Sequence, residues 1–254
     1  MATLDLGGTI LGDLDNGPKV IIPLVGEDSQ TLLGQARQAG PLADLIEWRV
    51  DAFDEPLAPD VLSEVAGRIR QTAGKPLIAT VRTAAEGGDF TGNDHQYPAL
   101  VAVLARIDAI SAVDVEAERL GAPDCIAAAK ALGTPVIASY HDFSGTPGTE
   151  QMQRRLADME AMGAQVAKLA VMAHTPADTA ALLMATARRH EQAGVPLLTM
   201  AMGPVGVVSR AVGHLFGSCA TFAALDGQSS APGQPGVAAL RSVLSELSML
   251  EGSR

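Results

Sequence analysis

The stretch Ala161-Met162-Gly163-Ala164-Gln165-Val166-Ala167-Lys168-Leu169-Ala170-Val171 ends a helix, turns at a glycine and enters an apolar run of strand length. The same junction recurs at Gln38-Ala39-Gly40, Thr72-Ala73-Gly74, Ala131-Leu132-Gly133 and Gln192-Ala193-Gly194. Glycine just past a helix C-terminus enters the left-handed region without a Cβ penalty, so each junction is expected to be a left-handed helix stop. An apolar run follows every one: Leu45 to Val50, Pro76 to Val81, Pro135 to Tyr140, Val166 to Val171 and Pro196 to Ala201. Lys19 to Val25, Ala109 to Val115 and Cys219 to Ala224 bring the expected strands to eight.

Helical periodicity fills the intervals, as in Leu62, Val65 and Ile69, and Leu240, Leu244 and Leu247 continue it after the last run. Alternating strands and helices form a parallel sheet, and near-continuous apolar strands require cover on both faces. Eight such units fit a (βα)8 TIM barrel of about 250 residues better than an open doubly wound sheet. The first run also leads into Pro23-Leu24-Val25-Gly26 and not into the G-x-G-x-x-G of a dinucleotide-binding fold. Leu4 to Leu11 reads as a β-hairpin turning at Gly7-Gly8, so residues 1–18 are expected to cap the closed end of the barrel. No linker composition divides the chain, and residues 1–254 are expected to form a single α/β barrel domain.

Composition narrows the function classes. A net charge of -11 from scattered acids disfavours nucleic acid and anionic membranes as partners. Cys125 and Cys219 have no metal-like spacing and read as structural thiols of a reducing compartment. With no leader-like start and no apolar run near the ~18 residues of a membrane span, a soluble cytoplasmic protein is expected.

Barrel active sites form at the C-terminal ends of the strands, where this chain concentrates polar residues. They are Glu47 and Arg49 on the second run, Arg82 and Glu86 after the third, His141 on the fifth, Lys168 on the sixth, and Arg210 later. Lys168 is the only one of four lysines inside an apolar strand, in surroundings that discourage a charge. A buried ammonium loses solvation, and a neutral amine can attack a carbonyl carbon to form an imine. Each residue alone has a simpler explanation: a snorkelling lysine, an internal salt-bridge network of Glu47, Arg49 and Arg82, a loop histidine, core methionines. Converging on one mouth, they match a small polyhydroxylated keto acid.

In order and spacing these fragments resemble the type I 3-dehydroquinate dehydratases over nearly the whole chain. The resemblance is carried by Glu47-Trp48-Arg49-Val50-Asp51, Arg82 with Glu86-Gly87-Gly88, Ser139-Tyr140-His141-Asp142-Phe143 and Lys168-Leu169-Ala170. It continues through Met200-Ala201-Met202-Gly203, Ser209-Arg210, Phe216-Gly217-Ser218, Ala220-Thr221-Phe222 and Ser230-Ala231-Pro232-Gly233-Gln234. It implies dehydration of 3-dehydroquinate to 3-dehydroshikimate, with Lys168 as Schiff-base lysine, His141 as general acid and base, and Glu86 orienting the imidazole. It further implies Glu47, Arg49 and Arg82 on the ring hydroxyls, Arg210 on the carboxylate, Ser230 and Gln234 on a lid, and Met202 and Phe222 lining the pocket. A homodimer without metal or organic cofactor is implied as well. Pro23 stands where the family often has a serine that touches the substrate, and Ala167 replaces a proline common before the lysine. Two other readings remain open at this point, an imine-forming barrel aldolase and a non-catalytic binding or regulatory barrel of the same descent.

Overall fold

The computed structural model describes residues 2–15, 17–225 and 231–251. Among these residues the strands are β1 (Leu4–Leu6), β2 (Thr9–Leu11), β3 (Lys19–Leu24), β4 (Leu45–Arg49), β5 (Leu77–Thr80), β6 (Ala112–Glu116), β7 (Val136–Asp142), β8 (Val166–Met172), β9 (Leu197–Met202) and β10 (Ala220–Phe222). The helices are α1 (Ser29–Ala39), α2 (Pro59–Ala73), α3 (Gln96–Leu104), α4 (Ala122–Ala131), α5 (Thr149–Ala161), α6 (Pro176–His190), α7 (Val207–Val212) and α8 (Val237–Glu251). One parallel sheet runs in the order β10-β3-β4-β5-β6-β7-β8-β9. Its ends meet at one bridge between Leu197 and Ser218, where the Cys219 N–H donates to the Leu197 carbonyl at 2.6 Å. The Ser218 hydroxyl extends the seam by accepting from the Thr199 N–H at 3.0 Å. The architecture is the expected TIM barrel.

Side chains alternate across each strand, and the two faces have different tasks. Outward residues such as Val20, Ile46, Trp48, Val113, Val136 and Leu169 form the main core with the helix stripes, including Leu62, Val65 and Ile69 of α2. The inward face changes character along the barrel axis. At the N-terminal end Ile21, Leu45, Ile78, Ala112, Ile137, Val166, Leu198 and Ala220 make an apolar cluster, and Leu6 and Leu11 of the β1–β2 hairpin are buried in it. The hairpin thus plugs the closed end, its turn held by a 2.6 Å bond from the Gly8 N–H to Asp5 Oδ1. Two residues further along the strands the interior becomes polar: Glu47, Thr80, Asp114, Ser139 and Lys168, all buried.

Two expectations need correction. The fourth strand begins at Ala112, since Asp108 to Ser111 is spent on a turn closed by the Ile110 N–H on the Ile107 carbonyl. Of the five junction glycines, Gly74, Gly133 and Gly163 have positive φ, whereas Gly40 and Gly194 do not. Gly40 is required for close approach instead: it sits at φ -50°, and a Cβ there would stand 2.5 Å from the Ala73 carbonyl oxygen at the end of α2. Gly40→Ala is therefore expected to destabilise the protein by about 1–3 kcal/mol through overpacking. Gly67→Ala, inside α2 with open space around the new Cβ, should stabilise it by about 0.5–1 kcal/mol through helix propensity. Urea denaturation of the two variants checks both signs.

Candidate active site

A cavity opens at the C-terminal ends of the barrel strands, the end at which barrels of this kind place their sites. Glu47, Arg49, Arg82, Glu86, His141, Lys168, Met202, Arg210, Phe222 and Gln234 all line it, joined by Thr80, Phe143, Met200 and Ala231. Ser230 lies outside the described residues. Ala231 to Gln234 lies over the turn at Gly203, whose N–H donates to the Pro232 carbonyl at 3.2 Å.

Lys168 points inward from the middle of β8 and is 4% exposed. Its surroundings differ from those expected for a lysine in an apolar strand. Nζ lies 3.1 Å from Asp114 Oδ2 and 3.5 Å from Glu47 Oε1, and 4.8 Å from the centroid of the Phe222 ring. Sequence periodicity shows neighbours along a strand; the acids come from β4 and β6. Asp114 also accepts from Arg82 NH2 at 2.7 Å and from the Ser139 hydroxyl at 2.6 Å. Burial alone would raise the Asp114 carboxyl, but Arg82 and Lys168 outweigh it and hold the group down at about 2.

Arg82 is the hub of this polar layer. Besides Asp114 it reaches Glu116 at 3.1 Å, the Ser139 hydroxyl at 3.0 Å and Glu86 at 3.4 Å. Glu116 in turn clasps Thr83 through its N–H and hydroxyl, both at 2.8 Å, and its own N–H donates to the Tyr97 hydroxyl at 2.9 Å. Arg49 forks onto Asp51 at 2.9 and 2.5 Å, and Asp51 accepts the Arg82 N–H as well. Glu86 Oε2 holds His141 twice, taking its backbone N–H at 3.1 Å and lying 2.9 Å from Nδ1, which leaves Nε2 for a ligand. Burial, and after it the charges of Arg82, Lys168 and Arg49, holds the imidazole well below its ordinary value, so it is neutral at neutral pH. Burial also pushes Glu86 up to about 8, with Glu116 and Asp114 adding to it against the pull of Arg82. Gly87, at φ 80°, lets the Phe143 ring close over this pair: a Cβ there would meet the ring at 2.4 Å.

Arg210 stands apart from that network. It is 2% exposed, its NH1 is 3.7 Å from the Met200 sulfur, and its Nε and NH2 have no hydrogen-bond partner among the described residues. Burial lowers it to about 10, which still leaves a cation at neutral pH. A buried charge without a partner is costly, and its position on the cavity wall marks where an anionic group of a ligand would be compensated.

The model of the type I 3-dehydroquinase family matches residues 20–251. The chain belongs to the type I 3-dehydroquinases. It is 38% identical over 256 residues to 3-dehydroquinate dehydratase of Salmonella agona, covering 97% of this chain and 99% of that protein. The 3-dehydroquinate dehydratase structure from Geobacillus kaustophilus superposes with a TM-score of 0.91 at 34% identity, covering 97% of this chain and 96% of that one. The type I enzyme of Clostridium difficile, solved with covalently modified comenic acid, gives 0.90 at 31% identity over 98% of this chain and 99% of that one. The chain is accordingly an enzyme, a 3-dehydroquinate dehydratase of the lyase class.

Sequence reasoning on this 3-dehydroquinase missed Asp114, Glu116, Thr80, Ser139 and Tyr97. A usable signal existed for the first two: Val113-Asp114-Val115-Glu116 sets acids at alternate positions of an apolar strand, the same anomaly that singled out Lys168. Thr80 and Ser139 carry no such signal, since a hydroxyl in a strand is ordinary; only strand register brings Thr80 within 2.9 Å of Glu47. Arg210→Met is expected to raise the melting temperature of the ligand-free protein. Removing an uncompensated buried cation is worth at least about 1 kcal/mol, or about 2 °C or more for a chain of this size. Differential scanning fluorimetry checks this, and the same variant should lose the stabilisation that an anionic ligand gives the wild type.

Proposed function

We propose that this chain removes water from 3-dehydroquinate to give 3-dehydroshikimate, a step of the shikimate pathway, through an imine on Lys168 with His141 carrying the proton. One observation carries the reading: one cavity holds a buried lysine amine, a neutral imidazole and a buried arginine that has no counter-anion among the described residues. These suit in turn the ketone, the acidic C–H and the carboxylate of that substrate.

The chemistry balances with this chain's own groups. The Lys168 amine, having shed one proton, attacks the ketone, and return of a proton as the carbinolamine hydroxyl leaves as water gives the protonated imine. The iminium is the electron sink that the ketone is not, so the C2 proton can move to Nε2 of the neutral His141 and leave an enamine. The imidazolium then returns that proton to the C1 hydroxyl, which departs as water while the C1–C2 double bond forms and the iminium is restored. Water finally cleaves the iminium and regenerates Lys168. Glu86, bonded to Nδ1 and to the backbone of His141, fixes the ring so that Nε2 faces the ligand.

We assign Arg210 to the substrate carboxylate, and Glu47, Arg49 and Arg82 to its ring hydroxyls. Met202 and Phe222 form the apolar wall, and the segment from Ala231 to Gln234 forms a lid that excludes water from the imine. The covalently modified ligand of the Clostridium difficile relative supports covalent chemistry in this family. An aldolase acting on phosphorylated substrates fits less well. At Gly203 to Gly206, where a phosphate would need free amides, the Gly203 N–H is used on Pro232 and the Gly206 N–H on Gly203.

Borohydride added with product should fix a covalent mass on the peptide containing Lys168, and a label on another lysine would overturn the assignment. His141→Ala should still trap the imine while kcat falls by about 10²- to 10⁴-fold. Since the depressed imidazole of His141 stays in its basic form until the pH is well under the usual histidine value, the acid limb of kcat/KM should lie below about 6.5. An acid limb at or above 6.5, measured by enone absorbance across pH, contradicts His141 as the base.

A further inference from the structure

We propose that Asp114 is a positioning residue whose fixed negative charge keeps the nitrogen of the Lys168 imine protonated throughout the reaction. The proposal rests on the imine reading above and extends it to a residue that does not line the cavity. Asp114 is 1% exposed and is not part of the cavity lining, so it acts through Lys168 and not on the substrate.

Three observations carry the inference. First, Asp114 Oδ2 is the nearer of the two carboxylate oxygens at Lys168 Nζ, at 3.1 Å against 3.5 Å for Glu47. Glu47 lines the cavity, where a bound ligand competes for it, whereas Asp114 has no such rival. Second, its other oxygen is held by Arg82 at 2.7 Å and by the Ser139 hydroxyl at 2.6 Å, so the carboxylate cannot swing away when the amine becomes an imine. Third, Arg82 and Arg49 line the same cavity, and after burial their charges count against a proton on the neighbouring His141 imidazole, as they would against an iminium beside them. A protonated imine in that field needs an anion at contact distance.

The charge count fits. Ammonium plus ketone gives iminium plus water with one positive charge on each side, on the same nitrogen, so the contact with Asp114 serves both states without rearrangement. A neutral imine would be a poor electron sink, and proton loss from C2 would slow. An opposite charge within about 4–6 Å typically moves a titration by 1–3 units in favour of the charged form. Asp114 itself remains ionised over the working range, held down at about 2.

The test compares Asp114→Asn with the wild type in two readouts across pH, borohydride trapping on Lys168 and kcat. With the carboxylate removed, the alkaline limb of both profiles should move down by about 1–3 pH units. Ser139→Ala, which removes a hydrogen bond to Asp114 without removing charge, should keep the limb within about half a unit of wild type. A folded Asp114→Asn protein with an unmoved limb overturns the proposal, as does a Ser139→Ala shift of equal size. If Asp114→Asn does not fold, ¹⁵N-lysine NMR of the wild-type enzyme with product decides: the imine nitrogen should stay protonated to pH 9 or above, and loss of that proton below pH 8 overturns the assignment. Failure of the wild type to trap at all removes the imine reading itself, a different result from a trapped but unshifted variant.

Discussion

A single buried carboxylate, Asp114, is shared by the ammonium of Lys168 and the guanidinium of Arg82. Charges in a barrel interior are tolerable only when each has a partner at hydrogen-bond distance, and the partners here come from different strands. The strand register is therefore fixed by electrostatics as well as by apolar packing. A slip of one residue on β6 would turn Asp114 outward into the helix layer and leave Lys168 and Arg82 facing each other. Through Arg82 the same carboxylate connects to Glu116, which clasps Thr83, and to Glu86, which holds His141. The amine and the imidazole are thereby tied into one continuous set of contacts.

Stability and chemistry are separated along the barrel axis. The apolar cluster at the closed end and the core between strands and helices bury aliphatic side chains with no polar demand, which is the dominant favourable contribution to folding. The layer above them contributes less, because ion pairs so deeply buried roughly offset their own desolvation. Arg210 is the extreme case, a buried cation whose Nε and Nη2 have no hydrogen-bond partner among the described residues.

Much of this was legible in the chain, and the reasons are local. Glycine junctions and apolar runs are properties of consecutive residues, so the strand order and the helices between them could be read directly. Lys168, Arg82 and His141 stood out because each interrupts or directly follows an apolar run. What could not be read was pairing across strands: that Asp114 and not solvent meets Lys168, or that Arg82 is spent on three carboxylates before any ligand arrives. Gly40 shows the same limit at the level of the backbone. Its position after a helix pointed to a left-handed turn, while its true constraint is the end of α2, which lies more than thirty residues away in the chain.

The plug at the closed end bears on how the chain folds. Leu6 and Leu11 precede the first barrel strand, yet the cluster that buries them includes Cys219 and Ala220 at the last one. The hairpin itself is local and can close early, but its seat does not exist until the last strand has joined the first. Such long-range closure gives the barrel a high contact order, which slows folding and makes it cooperative. The β1–β2 hairpin thus acts as a latch whose catch is assembled from both ends of the barrel.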